Sequence, residues 1–598
     1  MHTANMSVAP ATPTTPARPD LRQRLAVRLD RLRLGSGGLL AMALVVGAGT
    51  AGAAVAFRWL VGTATRLLTG HEDYAAVPGA ANPHLPGLGR WFVVLTPVVA
   101  GLVYGPLVHR FAREARGHGV PEVMFAVARN GGRIKPRVAG VKALASALTI
   151  GGGGSVGREG PIVQIGSALG STVGRLVRVS EPRMRVLVAC GAAGGIAATF
   201  NAPLAGVFFA LELILADFTA QSFGLVVLAA VTSSAIGRAV LGDEPFLTLP
   251  AFTVGHPSEY LLFAVLGVVA GAVGVAFTKV LYRVEDVCDA VWRGPEWARP
   301  AVGGLLLGLV LLVLPQMYGV GYPVLGDAVD GRYALGFLVV LLVGKMVATS
   351  LTIGIGGSGG VFAPSLFIGA MLGAAFGAVA HAALPGVAGP IGAYGLIGMG
   401  AVFAGAARAP ITAVVILFEL TNEYSIILPL MTAIVVATLV SHRLSADSVY
   451  TLKLRRRGVD LTAPPESGAA RTPVGTVMRP LPTPVEAGTP LREVAARLSG
   501  ASYGVLPLVG AAGGYHGVVT ARAVSEALVD GRHEVEPASM VTELPEPLRV
   551  TDTLDRVLDA LDHSGVGGMP VLDADGVDPV GWVTYRDALT GIRAARPS

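Results

Sequence analysis

The chain has 598 residues, 52% hydrophobic and only 14% charged, with a formal net charge of +6 and a mean hydropathy of +0.61. Soluble chains carry about 25% charged residues, so most of this one is expected inside a membrane, which excludes a soluble domain as its main body. The excess of basic residues reads as membrane-end charge rather than a nucleic-acid surface, and Cys190 and Cys288 make neither a disulfide framework nor a metal site.

Residues 1–17 are rich in Ala, Thr and Pro and read as disordered. Arg18, Arg22, Arg24, Arg28, Arg31 and Arg33 follow, so the basic segment 1–35 is expected in the cytoplasm, with no signal peptide. A first apolar span at 37–68 is long enough to cross obliquely, and a second lies near 91–111. From 117 to 215 the apolar segments are shorter and broken by glycine. A fuller span at 219–241 and a connecting loop at 243–257 close this half. The second half runs through apolar stretches at 260–282, 301–314, 333–353, 361–383, 391–406, 409–420 and 425–441. Several fall below the ~20 residues that cross a bilayer and read as tilted, partial or re-entrant helices.

Two stretches organise these halves. Residues 148–170 read LTIGGGGSVGREGPIVQIGSALG, and residues 351–373 read LTIGIGGSGGVFAPSLFIGAMLG. In register, Ser155 matches Ser358, Gly157 matches Gly360, Pro161 matches Pro364, Gly166 matches Gly369 and Gly170 matches Gly373. Lys142 matches Lys345 upstream; downstream, NAPLAGVFFALEL echoes RAPITAVVILFEL, pairing Glu212 with Glu419. Long apolar halves broken by Gly and Pro at corresponding places mark a repeat-built transporter with half-helices near the membrane midplane. GREGP sets one carboxylate, Glu159, beside glycines and a proline at an expected helix start. Such an end attracts anions, and no Walker lysine follows. Glu159 therefore reads as a tethered anion competing with a free one.

After Val440, His442, Arg443, Lys453, Arg455, Arg456 and Arg457 form a basic membrane exit, with a linker at 446–473. Two similar soluble modules follow, at 474–530 and 537–594. Each carries a helix, a strand pair and a closing helix, and each is too small to stand alone, so the two are expected to pack together.

GREGPIVQIG, GGVFAP, NAPLAG and FELT resemble the CLC family of chloride channels and proton/chloride antiporters, and the C-terminal modules resemble its paired CBS domains. The resemblance covers about 36–595. It implies an all-α polytopic membrane domain at 36–445, an inverted repeat of tilted and broken helices (about 36–242 and 258–445), plus an α/β tandem CBS module. It further implies a homodimer in the cell membrane, one anion pathway per subunit, cytoplasmic CBS domains, chloride as substrate, protons as a second partner, and no enzymatic activity or cofactor. By motif, the pathway includes Gly117, His118, Gly119, Val120 and Pro121 of GHGVP, and Gly157, Arg158, Gly160 and Pro161 around the gating Glu159. It continues with Gly360, Val361, Phe362 and Ala363 of GGVFAP, and Tyr450 after the last membrane helix. Uncovered N–H groups near Gly157, Val361 and Phe362 are expected to bind chloride weakly enough for release.

The chain departs from the family twice. His118 stands where a serine usually donates to the central anion; the alternative is an imidazole turned to solvent while backbone N–H groups bind. Leu213 stands where many antiporters carry a second, proton-relaying glutamate, which leaves exchanger and passive channel both open. The retained GREGP speaks against the fluoride-exporting branch. Glu212 and Glu419, duplicated at helix ends, read as structural. Lys142 and Lys345 either raise the potential along the path, or snorkel, or pair with a carboxylate such as Glu122. In the second module Thr584 and Asp587 fall where CBS domains bind a nucleotide, so an adenine nucleotide is a candidate regulator; the first module has Thr520 but Ala523. An intramembrane serine protease built on Ser358 would need an activating histidine, and the spans of the second half offer only His381.

Overall fold

The computed structural model describes residues 36–242, 256–421, 423–460, 472–501, 504–510, 514–541, 547–564 and 567–594. The basic segment 1–35, most of the loop 243–257 and the linker stretch 461–471 lie outside them. The chain divides into two units, Met1–Leu461 and Thr462–Ser598.

The first unit is helical throughout: α1 Ser36–Thr69, α2 Phe92–Phe111, α3 Val120–Arg129, α4 Pro136–Gly151, α5 Glu159–Val177, α6 Glu181–Phe200, α7 Pro203–Phe209, α8 Ala220–Leu241, α9 Glu259–Val291, α10 Arg299–Val313, α11 Tyr322–Val329, α12 Leu335–Gly354, α13 Phe362–Ala383, α14 Ile391–Ala407, α15 Pro410–Thr421, α16 Ile427–Leu444 and α17 Thr451–Arg456. Eight helices among the described residues are long and apolar enough to cross a membrane, and the chain is a multi-pass membrane protein. Others, such as α3 and α11, are too short to cross and end inside the unit.

The sequence repeat is a repeat of contacts. α5 crosses α6 where Gly166 meets Gly191, and α13 crosses α14 where Gly369 meets Gly398; a Cβ at any of these glycines would collide with the facing backbone. Small residues at both crossings let the backbones approach, as helix pairs without a hydrophobic driving force require. α6 ends on Asn201 at φ 57° and α14 on Arg408 at φ 58°, matched left-handed positions. Asparagine tolerates that conformation. Arg408 is held in it by its guanidinium, which donates to the carbonyls of Ser441 (3.1 Å), Ser445 (2.6 Å) and Ala446 (2.7 Å).

Glu212 and Glu419 form a reciprocal pair of caps. Glu212, in the π-helical turn Ala210–Leu215 that continues α7, accepts from the N–H of Ile411 (3.1 Å) and Thr412 (2.9 Å) and from the Thr412 hydroxyl (2.6 Å). Glu419 of α15 accepts from the N–H of Leu204 (2.9 Å) and Ala205 (2.7 Å). Each repeat thus satisfies the orphan donors that open the other repeat's short helix.

Residues 446–460 continue the first unit and do not begin a linker. The Val449 N–H donates to the Ala406 carbonyl (2.8 Å), and α17 buries Lys453 and Leu454.

The second unit holds two copies of one fold. In the first, strands β1 Val485–Glu486, β2 Val505–Val509 and β3 Tyr515–Thr520 stand in that order with helices α18 Leu491–Gly500 and α19 Ala521–Val529. In the second, β4 Leu548–Arg549, β5 Gly568–Leu572 and β6 Pro579–Thr584 accompany α20 Leu554–Ser564 and α21 Tyr585–Ala594. Both sheets pair the first two strands parallel and the last two antiparallel. The copies interlock: Arg479 and Trp582 exchange backbone hydrogen bonds at 2.8 and 2.9 Å, and Val474 is buried in the core of the second copy.

Replacing Glu419 by alanine strands two N–H donors and is expected to cost about 2 kcal/mol of stability. A lowered thermal midpoint in detergent, with a smaller loss in Glu419→Gln, checks this.

Candidate functional site

The polar loops converge at the middle of the first unit, and backbone hydrogen bonds sew them together. The Gly157 N–H donates to the Gly360 carbonyl (2.8 Å), and Gly360 returns the bond (2.7 Å). The Gly117 N–H donates to the Gly357 carbonyl (3.1 Å), and the Gly359 N–H to Gly117 (3.2 Å). The N–H of Ser155 donates to the Thr352 hydroxyl (3.1 Å), and that of Ser358 to the Thr149 hydroxyl (3.2 Å). GHGVP, GREGP and GGVFAP thus form one connected assembly.

This corrects one expectation. The N–H groups of Gly157, Gly360 and Gly117 serve the stitching and are not uncovered donors. Val361 caps α13 and Phe362 opens it, where no preceding helical carbonyl can accept their N–H groups.

Glu159 opens α5 and is 1% exposed. One carboxylate oxygen accepts from the Tyr322 hydroxyl at 2.6 Å; the other faces the Ala363 N–H at 3.4 Å, at the start of α13. Gly160 lets the loops meet: a side chain there would drive into the His118 carbonyl. Pro161 sits in the first turn of α5, where its missing donor costs nothing. The Arg158 guanidinium makes no direct ion pair with Glu159 among the described residues. It lies 5.0 Å from the Tyr322 ring centroid and donates to the Thr199 carbonyl (3.4 Å).

Gly117 and Gly119 have φ of 79° and 88°, which bends the chain into α3, opened by Val120 and Pro121. His118 between them is fully buried rather than turned to solvent, and neither ring nitrogen has a hydrogen-bond partner among the described residues. Its ring meets Tyr282 edge-on at 6.1 Å, and Tyr282 donates to the carbonyl of Val449 (2.6 Å), the residue before Tyr450. Tyr450 is 1% exposed.

Among the described residues neither lysine forms an ion pair with a carboxylate. Lys142 donates to the carbonyls of Ala115 (3.0 Å) and Gly117 (2.7 Å), and Lys345 to those of Gly319 (3.1 Å) and Val320 (2.9 Å). Each braces one glycine loop. Glu122 instead faces Lys453 and Arg457, both at 3.4 Å. The Ser358 hydroxyl is engaged with the Ala115 carbonyl (2.6 Å) and Ser146 (2.9 Å), not with an imidazole.

Two cavities adjoin these loops. One of about 1150 Å³ is lined by Arg58, Arg66, Arg158, Asn201, Arg238 and Tyr322. Another of about 180 Å³ is lined by Arg113, Arg116, Gly117, Lys453 and Arg457, among others. In both, basic residues outnumber the acidic ones, Glu72 and Asp73 in the first and Glu285 and Asp289 in the second, a balance that favours anions.

The residues 100–442 match the family model described as voltage gated chloride channel, and 474–530 and 540–594 match the CBS domain model. The chain belongs to the CLC chloride transporter family. Members of that family are transporters, not enzymes. A Ralstonia nicotianae protein with the provisional name chloride channel protein ClcB-like is 34% identical over 72% of this chain and 100% of its own. The H(+)/Cl(-) exchange transporter ClcA of Vibrio parahaemolyticus is 37% identical over 61% of this chain and 79% of its own. A solved slow cyanobacterial Cl-/H+ antiporter matches 71% of this chain and 98% of its own, with a TM-score of 0.62 and 27% identity.

In the second unit the Thr584 hydroxyl and Asp587 hydrogen-bond at 2.7 Å, and the other Asp587 oxygen accepts from Arg479 Nε (2.7 Å). Both candidate nucleotide ligands are buried and already partnered. Tyr322 was not among the site residues read from the sequence. The available signal was GVGYP at 319–323, which echoes GHGVP.

Lys142→Met leaves two buried carbonyls without their charged donor. It is expected to cost roughly 3 kcal/mol and to slow chloride flux, checked by thermal midpoint and by efflux from proteoliposomes.

Proposed function

We propose that the protein exchanges chloride for protons across the cell membrane, as a homodimer with one pathway per subunit and Glu159 as its gate. The observation that carries this reading is the buried Glu159 carboxylate, lying between the starts of α5 and α13 with one oxygen facing the Ala363 N–H. An ionised carboxylate there competes with chloride for the same donors; protonated, it loses its charge and yields the place. The path would run past Gly117–Pro121, Gly157–Pro161, Gly360–Ala363 and Tyr450. Relatives that carry exchanger names support proton coupling. The basic stretches before α1 and after α16 support cytoplasmic N-terminal and CBS segments. An adenine nucleotide at the CBS unit would have to displace Arg479 from Asp587.

A passive chloride channel is the second reading, and Leu213 favours it. This side chain is 8% exposed in the π-helical turn and cannot carry a proton.

Reversal potentials in proteoliposomes holding a chloride gradient, at matched and opposed pH, separate the two. An exchanger's zero-current voltage moves with the pH gradient, and Glu159→Gln or Glu159→Ala abolishes that movement while chloride still passes. A voltage that follows chloride alone assigns the channel.

A further inference from the structure

We propose that Tyr322 is a positioning residue that latches the Glu159 gate in its closed place through the hydroxyl-to-carboxylate hydrogen bond. This rests on reading Glu159 as the gate. The 2.6 Å bond from Tyr322 is much shorter than the 3.4 Å approach of the Ala363 N–H, so the phenol is the tighter restraint on the carboxylate. A hydrogen bond to an ionised acceptor is about twice as strong as one between neutral groups, so the latch holds the charged, closed carboxylate and loosens once it is protonated.

The phenol is itself held in place. Tyr322 opens α11 directly after Gly321, whose φ of 87° bends the chain into the helix. Lys345 braces that bend through the Gly319 and Val320 carbonyls and rests over the Phe367 ring at 4.9 Å. Arg158 lies over the Tyr322 ring. Tyr322 and Arg158 also line the larger cavity, so the latch stands between that cavity and the gate.

Symmetry separates this contact from the scaffold. The lysine braces, the threonine stitches and the glutamate caps each occur twice, once per repeat. The Glu159–Tyr322 pair occurs once. The repeat counterpart of Glu159 is Phe362, and GHGVP places Val120 where GVGYP places Tyr322. Structural contacts follow the duplication, whereas this one breaks it from both sides.

Tyr322→Phe removes only the hydroxyl and keeps the ring under Arg158. Arg158, Lys345 and Tyr450, the charged and titratable groups around the carboxylate, keep their identities; the hydroxyl's contact with Arg158 is lost as well, and the Glu159→Ala background separates that loss from the latch. Chloride efflux from proteoliposomes is measured against pH for the native chain, Tyr322→Phe, Glu159→Ala and the double variant. Losing a hydrogen bond to a charged group is expected to raise turnover at pH 7 roughly tenfold and to move the midpoint of the pH profile upward by about one pH unit. In the Glu159→Ala background the same substitution should change nothing. Unchanged or lower turnover, an unmoved midpoint, or an equal effect without Glu159 overturns the latch. If Glu159→Ala alone keeps the native pH profile, the gate reading fails instead, whatever Tyr322 does.

Discussion

Backbone placed inside a membrane away from water must find its partners within the protein, and that constraint shapes the centre of this molecule. Helices that stop midway leave N–H and C=O groups which would each cost several kcal/mol unsatisfied in hydrocarbon. The chain meets the demand by crossing its repeats. Gly157 and Gly360 exchange hydrogen bonds, and Thr149 and Thr352 each cap the serine loop of the other half. Glu212 and Glu419 do the same for α15 and α7. Neither half could close these bonds by itself, so the repeats are interdependent.

The stitching also explains where donors remain. Once glycine N–H groups are spent on each other, those left at the site lie at helix starts, near Val361, Phe362 and Ala363. A site built on a few neutral donors binds an anion without the strong grip of a paired cation, which suits passage better than storage. The arginines stand back in the cavities, where they raise local anion concentration instead of contacting Glu159.

Function in a duplicated scaffold is expected where the duplication fails. Glu159 has Phe362 as its counterpart, and His118 and Tyr322 fall at motif positions with no matching chemistry in the other half, Val320 and Val120 standing there. His118 is the plainest of these: a buried imidazole whose two nitrogens have no hydrogen-bond partner among the described residues. The second unit follows a similar course, with Thr584 and Asp587 in the second module and Ala523 at the aspartate's place in the first.

The sequence by itself determined the membrane class, the two halves, the motifs and the two C-terminal modules, because these rest on hydropathy, on Gly and Pro breaks, and on an exact spacing between repeated stretches. It also carried the structural role of Glu212 and Glu419, since duplication at helix ends has few other readings. Only the tertiary structure decided which backbone donors are free, because hydrogen bonding between Gly157 and Gly360 depends on residues some two hundred positions apart facing each other. The same holds for Lys142 and Lys345, whose carbonyl partners carry no signature in composition, and for Tyr450, whose segment returns to α14 instead of leaving as a linker. Spacing places a motif on the chain; which side chain answers it from the opposite repeat is settled by packing.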